Sequence, residues 1–320
     1  MKTKLTDVAK LAGVSPTTVS RVINHYPSVN KETIQLVKKA MEELNYQPNA
    51  FARGLHGKNT NLVGIILPNL NDSLYADLVI ELEKQLHTLG YLTTLCISQN
   101  NKEKEQDFIN QMLNNNAAGL ITASHALAVK SYHNLDFAVT AFDRKMQHIP
   151  YVHTNNYESG FQAANHLIMN QRSNLSMFDG LKLHKEPVEQ RAIGFREALA
   201  QHNIEPLIFH INMQSTQSAK QIEKILLSNT LDGVFCSDEA TAVQLIKVCK
   251  KLAIQIPKQL QICSYTSNEN LLSYLHDITI FQHQTVDIAK KLIEILMSQI
   301  TKQPFSASEF GYQAALVSHA

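Results

Sequence analysis

From residue 61 onwards, short apolar segments alternate with longer amphipathic segments in a regular order. Apolar runs of this length are typical of buried strands, and the segments between them carry Leu or Ile at helical spacing. Strands and helices that alternate in this way fold into α/β units with parallel sheets. We expect strands at 62–67, 91–97, 118–122, 137–142, 174–178, 206–210, 232–236 and 260–264, and helices at 73–89, 102–115, 158–170, 189–202, 215–228 and 239–252.

The alternation restarts after Asn155, which predicts two doubly wound parallel-sheet lobes in tandem. The 320 residues of the chain suffice for two such lobes and a smaller domain. Two lobes side by side form a cleft, and α/β sheets bind ligands at the carboxyl ends of their strands. The loops at those ends are rich in hydroxyl, amide, carboxylate and Tyr side chains, a mixture that suits the recognition of a sugar.

The first sixty residues follow a different pattern, in which short helices succeed one another. We expect Thr6 to cap a helix that ends at Gly13, where helices commonly stop with a positive φ. Ser15 would cap a second helix with Pro16 in its first position, and Asn30 would cap a third. Two short helices joined by a turn that contains Gly, followed by a third helix, predict a helix-turn-helix unit.

In a helix-turn-helix the second helix enters the major groove of DNA. Residues 1–60 carry nine Lys and Arg against four Asp and Glu, whereas the remaining residues carry 20 against 24. A basic head on a mildly acidic body suggests a module that binds a polyanion. A plain three-helix bundle is the alternative, but it would leave this charge and the polar row unexplained. The row that we expect to reach DNA comprises Ser15, Pro16, Thr17, Thr18, Ser20 and Arg21.

Segments 5–15 and 18–24 resemble the DNA-binding headpiece of the lactose-repressor (LacI/GalR) family. The resemblance adds Thr6, Asn24 and His25 to the expected DNA contacts. Segment 45–55 is similar to the hinge of that family, which becomes a short helix on operator DNA and pushes an apolar wedge, here Leu55, into the minor groove. Pro48 and Gly54 make a helix of about two turns marginal without DNA, and a passive linker is the alternative. The hinge contacts implied are Asn49, Ala52, Arg53 and Leu55.

The resemblance extends through the body of the chain. Segments 142–144, 155–160, 191–196 and 232–238 match the effector domain of the same family. The resemblance implies that Arg191 and Asp238 contact the effector, with Tyr75, His125 and Asp143 as looser matches. Within the family, segments 55–60, 124–125, 142–144 and 233–238 are most like the sucrose-operon repressors.

Several other functions lack support in the sequence. Neither a Gly-rich phosphate loop nor a G-x-S-x-G motif is present, and the histidines lack metal-ligand spacing, so we expect no enzyme activity, cofactor or metal. Asp72, Asp143 and Asp238 could pair in a glycosidase, which stays the enzyme alternative. A ligand-free architectural DNA-binding protein is a third class. The scattered cysteines predict buried thiols in a cytoplasmic protein, and no apolar run approaches the roughly 20 residues of a membrane helix.

These observations predict a DNA-binding repressor of a carbohydrate operon, released by a sugar or sugar-phosphate effector. A corepressor, which would tighten DNA binding, is the alternative. We expect a homodimer on double-stranded operator DNA. The expected domains are a headpiece at 1–47, a hinge at 48–60 and a periplasmic-binding-protein-like effector domain at 61–320. Its N-lobe would comprise about 61–156 and 284–300, and its C-lobe about 157–283 and 301–320.

Overall fold

A computed structural model describes residues 3–23, 26–46, 60–180, 186–213, 215–266, 277–304 and 308–318. The chain divides into two compact units, Met1–Thr60 and Asn61–Ala320. Within the described part of the chain, no helix is both long enough and apolar enough to cross a membrane.

The smaller unit contains three helices in its described part: α1 (Leu5–Ala12), α2 (Pro16–Ile23) and α3 (Lys31–Glu43). Their apolar faces meet in a small core around Val8, Val19 and Val37, each fully buried. Because these side chains recur at helical spacing, each helix buries one face and exposes the other. This is the helix-turn-helix arrangement that the sequence predicts.

The structure confirms most of the predicted helix caps. Gly13 ends α1 with φ +68°, and the Oγ of Ser15 accepts the backbone N–H of Thr18 at 3.1 Å. Asn30 likewise accepts the N–H of Thr33 at 2.8 Å. The expected capping role of Thr6 is wrong, because the Asp7 carboxylate accepts the backbone N–H of Lys4 at 2.8 Å and the helix already begins at Leu5.

The larger unit alternates strands and helices at the predicted places. Beyond the elements given above, it contains a 3-10 helix at 129–132, a helix at 285–300 and four short strands, at 151–154, 279–282, 309–312 and 315–318. In chain order the unit contains β1 (Leu62–Leu67), α4 (Ser73–Thr88), β2 (Leu92–Ile97), α5 (Lys102–Asn114), β3 (Gly119–Thr122), a 3-10 helix (Val129–Tyr132), β4 (Ala138–Phe142), β5 (Tyr151–Thr154), α6 (Asn156–Met169), β6 (Leu175–Gly180), α7 (Glu186–Ala200), β7 (Leu207–Ile211), α8 (Ser218–Ser228), β8 (Gly233–Cys236), α9 (Glu239–Lys251), β9 (Gln261–Thr266), β10 (Thr279–Gln282), α10 (Thr285–Ile300), β11 (Glu309–Tyr312) and β12 (Ala315–Ser318).

The strands form two sheets, one in each lobe. The first has the order β11-β5-β4-β3-β1-β2 and the second the order β12-β10-β9-β8-β6-β7. Pairing is parallel throughout, except that β12 runs antiparallel to β10. In both sheets the strand order reverses beside the first strand of the lobe, β1 or β6, and such a switch point is where doubly wound sheets bind ligands.

The C-terminal segment corrects the expected division of the lobes. We expected 301–320 to belong to the C-lobe, but β11 pairs in parallel with β5 of the N-lobe, and only β12 joins the second sheet. The edge of the first sheet beside β5 offers unpaired backbone groups, which β11 satisfies before the chain crosses over. Helix α10 packs on α4 and on β3, β4 and β5, so it lies in the N-lobe.

The four cysteines are buried thiols, as predicted. Their burial raises the pKa of Cys249 to about 11 and that of Cys263 to about 12. Within the described ranges, no group of His, Cys, Asp and Glu side chains is arranged to hold a metal ion.

Candidate functional site

Helix α2 has one apolar face and one polar face. Val19 and Val22 are buried against α1 and α3, whereas Thr17 and Arg21 are exposed. The face that carries Thr17 and Arg21 is therefore free to meet a groove of DNA. Ser15 and Pro16 are exposed at the start of the helix, Thr18 and Ser20 are half-buried, and Thr6 is exposed on α1.

Six of the expected DNA contacts lie outside the described residues, and their roles stay predictions. They are Asn24, His25, Asn49, Ala52, Arg53 and Leu55.

On the N-lobe side of the cleft, Tyr75 lies in the first turn of α4, after β1. Its ring meets that of Phe142 edge-on, with 6.5 Å between centroids. Burial raises the pKa of Tyr75, the Asp72 and Asp143 carboxylates add to the rise, and Arg191 opposes it. Because Arg191 belongs to the other lobe, its charge acts on Tyr75 across the cleft.

Asp143 follows β4 and faces the same space. Its backbone has φ +47°, in the left-handed region, where a side chain other than Gly is uncommon. The carboxylate accepts the backbone N–H of Thr154 at 2.6 Å and its hydroxyl at 2.9 Å. Burial raises the pKa of Asp143, whereas these hydrogen bonds and the charge of Arg191 lower it. Thr154 thus holds the carboxylate at the edge of the sheet.

Arg191 is the buried cation of the C-lobe side, with only 5% of its surface exposed. Its Nε donates to Oδ1 of Asn156 at 2.7 Å, and its Nη1 donates to the carbonyl of Ser237 at 2.5 Å. The guanidinium lies 4.4 Å from the ring centroid of Tyr265. Three contacts in different directions fix the plane of the guanidinium, which a bidentate donor needs.

Two glycines bring α7, and with it Arg191, close to α6. A Cβ on Gly160 would lie 1.9 Å from the carbonyl oxygen of Arg191, and one on Gly194 would lie 2.0 Å from that of Tyr157. The two backbones therefore touch in a reciprocal way that only glycine permits. The position of Arg191 depends on this close helix packing.

Asp238 follows β8 and caps α9. Its Oδ1 accepts the backbone N–H and the hydroxyl of Thr241, each at 2.9 Å, and its Oδ2 accepts the hydroxyl of Ser237 at 3.0 Å. A Cβ on Gly180 would lie only 2.5 Å from Oδ2. Asp238 is therefore both a helix cap and a half-buried acceptor beside Arg191, joined to it through Ser237.

Glu239 links the two lobes directly. Its Oε2 accepts the hydroxyl of Ser73, at the start of α4 in the N-lobe, at 2.7 Å. The same oxygen accepts the hydroxyl of Thr266, at the end of β9 in the C-lobe, at 2.5 Å. The carboxyl ends of β1, β8 and β9 thus face one another.

The five expected effector contacts differ in how firmly the structure connects them. Tyr75, Asp143 and Arg191 influence one another electrostatically, and Asp238 joins them through Ser237. His125 is half-buried in the loop after β3, and it is placed at the same edge by strand topology.

Residue-by-residue reasoning missed several side chains that build the site. Their signal was their place in or next to the segments at the carboxyl ends of strands, but such a position does not tell which side chain turns inward. These side chains are Ser73, Thr154, Asn156, Ser237, Glu239 and Tyr265.

Comparison with known proteins supplies the family. The profile described as "Bacterial regulatory proteins, lacI family" matches residues 4–49, and that of a "Periplasmic binding protein-like domain" matches residues 165–311. The chain is 38% identical to the sucrose operon repressor of Streptococcus mutans, over 95% of this chain and 94% of that protein. This chain belongs to the lacI family of bacterial regulatory proteins. Its identity to the sucrose operon repressor of Pediococcus pentosaceus is 34%, over 94% of this chain and 93% of that protein.

The fold of this lacI-family chain resembles that of a solved lac repressor dimer bound to operator and the anti-inducer ONPF. The TM-score is 0.86, and the alignment covers 99% of this chain and 98% of that one at 19% identity. The expected fold class, a helix-turn-helix unit followed by two parallel-sheet lobes, is confirmed.

Proposed function

We propose that this protein is a transcriptional repressor that binds operator DNA through α2 and is released from it by a sugar bound between the lobes. One observation carries the proposal. In a chain that begins with a helix-turn-helix, the guanidinium of Arg191 is fixed in the cleft opposite Tyr75 and Asp143 of the other lobe. Fixed donors and acceptors around a shared space suit the hydroxyl groups of a sugar.

The DNA-binding half of the proposal rests on the exposed polar face of α2. Two such helices, one from each protomer of a homodimer, would occupy adjacent major grooves of a near-palindromic operator. Four exposed apolar side chains support a homodimer, because they fall on the edge strand β2, on the neighbouring helix α4 and at the residue that caps the end of that helix. They are Ile80, Leu89, Leu92 and Leu95.

The effector couples to DNA binding through the two lobes. A sugar that binds the DNA-free arrangement of the lobes more tightly than the DNA-bound one must weaken operator binding by the same factor. The opposite preference would make the sugar a corepressor. The similarity to sucrose operon repressors favours sucrose or a phosphorylated form of it, and repression of a sugar operon implies action in the cytoplasm.

The test measures operator binding in the presence of sugars. A duplex selected from a random library by the full-length protein is labelled, and its dissociation constant is measured at fixed salt. The sugar panel comprises sucrose, sucrose 6-phosphate, fructose and ribose. We expect one of them to weaken binding and to be recovered unchanged. Tighter operator binding would indicate that the sugar is a corepressor. Consumption of the sugar would indicate that the protein is an enzyme. If no sugar changes operator binding, the proposal is wrong.

Replacing Arg21 by Ala tests the DNA-binding face. We expect a loss of about 1–3 kcal/mol in specific operator binding if Arg21 contacts a base, and less if it contacts phosphate. The matched control is Lys39→Ala, which removes one positive charge from an exposed position of α3. Equal losses in the two variants would mean that only net charge matters and that α2 does not read the operator.

A further inference from the structure

The loop after β3, which carries His125, is held by two buried side chains of opposite charge. We infer that Glu105 and Arg144 form a clamp that positions His125 and Asp143 for the effector, an inference that rests on the proposed sugar binding. Neither residue lies among the effector contacts expected from the sequence, and Glu105 lies on α5, which carries none of those expected contacts.

Glu105 accepts the hydrogen-bond donors of this loop. It lies on α5 and is completely buried. One carboxylate oxygen accepts the hydroxyl of Ser124 at 2.5 Å, and the other accepts the hydroxyl of Tyr132. The backbone N–H of Leu127 also donates to this carboxylate.

Arg144 donates to the acceptors of the same loop. Only 6% of its surface is exposed. Its Nη1 donates to the carbonyl of Ser124, and its Nη2 donates to the carbonyl of Leu127 at 2.5 Å. The guanidinium also lies 5.4 Å from the ring centroid of Tyr132. Glu105 thus accepts the hydroxyl of Ser124 and the backbone N–H of Leu127. Arg144 donates to the backbone carbonyl groups of the same two residues.

The two expected effector contacts lie next to the clamped residues in the sequence. His125 follows Ser124, and Asp143 precedes Arg144. The left-handed backbone of Asp143, with φ +47°, turns its carboxylate toward Thr154 while the next side chain points back under the loop. A change in the clamp would therefore shift both contacts together.

Energetics favours a positioning role over a purely stabilising one. Buried charges contribute little net stability, because the cost of removing them from water offsets their attraction to their partners. Removing one partner leaves the other charge buried without compensation, and the loop must then rearrange. A network in which the buried donors and acceptors are paired specifies a single loop conformation.

The experiment compares Glu105→Gln with its matched control Glu103→Gln, which makes the same chemical change at an exposed position of α5. Release of the selected duplex is titrated with sucrose and with the other members of the sugar panel. We expect Glu105→Gln to raise the half-saturating sugar concentration about tenfold or more. Operator affinity without sugar should change by less than about twofold, and Glu103→Gln should match the wild type in both.

A milder variant covers the case in which Glu105→Gln fails to fold. Tyr132→Phe removes one hydroxyl donor and keeps both charges, and it should raise the half-saturating concentration by a smaller factor in the same direction. The His125 ring signals in an NMR spectrum, assigned with His125→Gln, should move in these variants without sugar. A role limited to stability would lower the melting temperature without moving those signals.

The outcomes separate this inference from the proposed function. If the wild type responds to a sugar and both folded variants respond at the same concentration with unmoved His125 signals, the clamp is overturned and the proposed function stands. If the wild type responds to no member of the panel, the proposed function is overturned, and the positioning of effector contacts falls with it.

Discussion

The two lobes share a strand order but fix their cleft residues in different ways. In the N-lobe, the loops that carry His125 and Asp143 are held by the buried charges of Glu105 and Arg144. In the C-lobe, Arg191 is held by a backbone contact between α6 and α7 that only two glycines allow. The shared topology therefore does not determine which interactions hold the cleft residues in place. The local sequence of each lobe determines them.

The difference predicts different sensitivities. A contact between uncharged backbones fails when volume is added, whereas a buried charged network changes its geometry when a neutral side chain replaces one of its charges. The experiments below test this contrast, in order of decreasing expected effect.

Adding a methyl group at Gly194 should have the largest effect. The new Cβ would lie 2.0 Å from the carbonyl oxygen of Tyr157, so α7 must shift away from α6. We expect Gly194→Ala to lower the free energy of unfolding by about 2–3 kcal/mol. Urea unfolding followed by circular dichroism measures the change.

Gly90→Ala is the control for this experiment. Gly90 has φ +80°, and its added Cβ would meet no atom within 4 Å, so only backbone strain of about 1 kcal/mol is expected. If both variants lose the same amount, the close contact of α6 and α7 does not determine the stability of the C-lobe.

Replacing Arg191 by Lys should have the next largest effect. Lysine keeps the charge but loses the planar fork that reaches Asn156 and Ser237. We expect a loss of about 1.5–3 kcal/mol in sugar binding, with operator binding retained. The sugar titration of the operator complex measures it.

Arg196→Lys, at an exposed position on the same helix, is the matched control and should match the wild type. A melting temperature that falls without sugar, together with weak operator binding, would instead mark Arg191 as a structural residue.

Ser73→Ala tests the place where the lobes meet. The substitution removes the hydroxyl that donates to Glu239 from the N-lobe, while Thr266 keeps its bond from the C-lobe. We expect the contact between the lobes to weaken by about 0.5–1.5 kcal/mol. In Ser73→Ala, amide hydrogen exchange should become faster in the first turn of α4 and in the first turn of α9.

Thr266→Val, the control for Ser73→Ala, removes the bond within the C-lobe and should leave exchange in α4 unchanged. Unchanged exchange in Ser73→Ala would mean that this hydrogen bond does not hold the lobes together.

The pH dependence of stability should show the smallest effect. Burial raises the pKa of Glu105, although Ser124 and Arg144 lower it. The folded state therefore binds this proton more tightly than the unfolded state. Its contribution to stability is greatest below the ordinary pKa of a glutamate and falls as the pH rises through the raised pKa.

The free energy of unfolding is measured against pH for the wild type and for Glu105→Gln, and the second curve is subtracted from the first. The difference isolates the contribution of Glu105, because Asp143 and Asp179, whose pKa values are also raised, remain in both proteins. The same subtraction with Glu103→Gln is the control for the change from Glu to Gln at an exposed position of α5. If the difference curve for Glu105→Gln does not vary with pH, the pKa of Glu105 is not raised in the folded protein.

The sequence by itself determined the features that depend on near neighbours. The caps at Ser15 and Asn30 and the end of α1 at Gly13 follow from bonds that span three residues or from one backbone angle. The strands and helices of the lobes follow from the periodicity of apolar residues, since burial of one face repeats at a fixed spacing. The loops that hold the site could be predicted for the same reason.

Only the tertiary structure decided how distant segments combine. The placement of β11 in the first sheet depends on an open edge beside β5, which lies far away in the sequence. The spacing of Phe108, Ile109 and Met112 places Glu105 on the apolar face of α5, but the sequence does not show what makes a carboxylate stable there. It is buried because Ser124, Tyr132 and Arg144 surround it in the folded chain, and such partners are chosen by packing over long sequence separations.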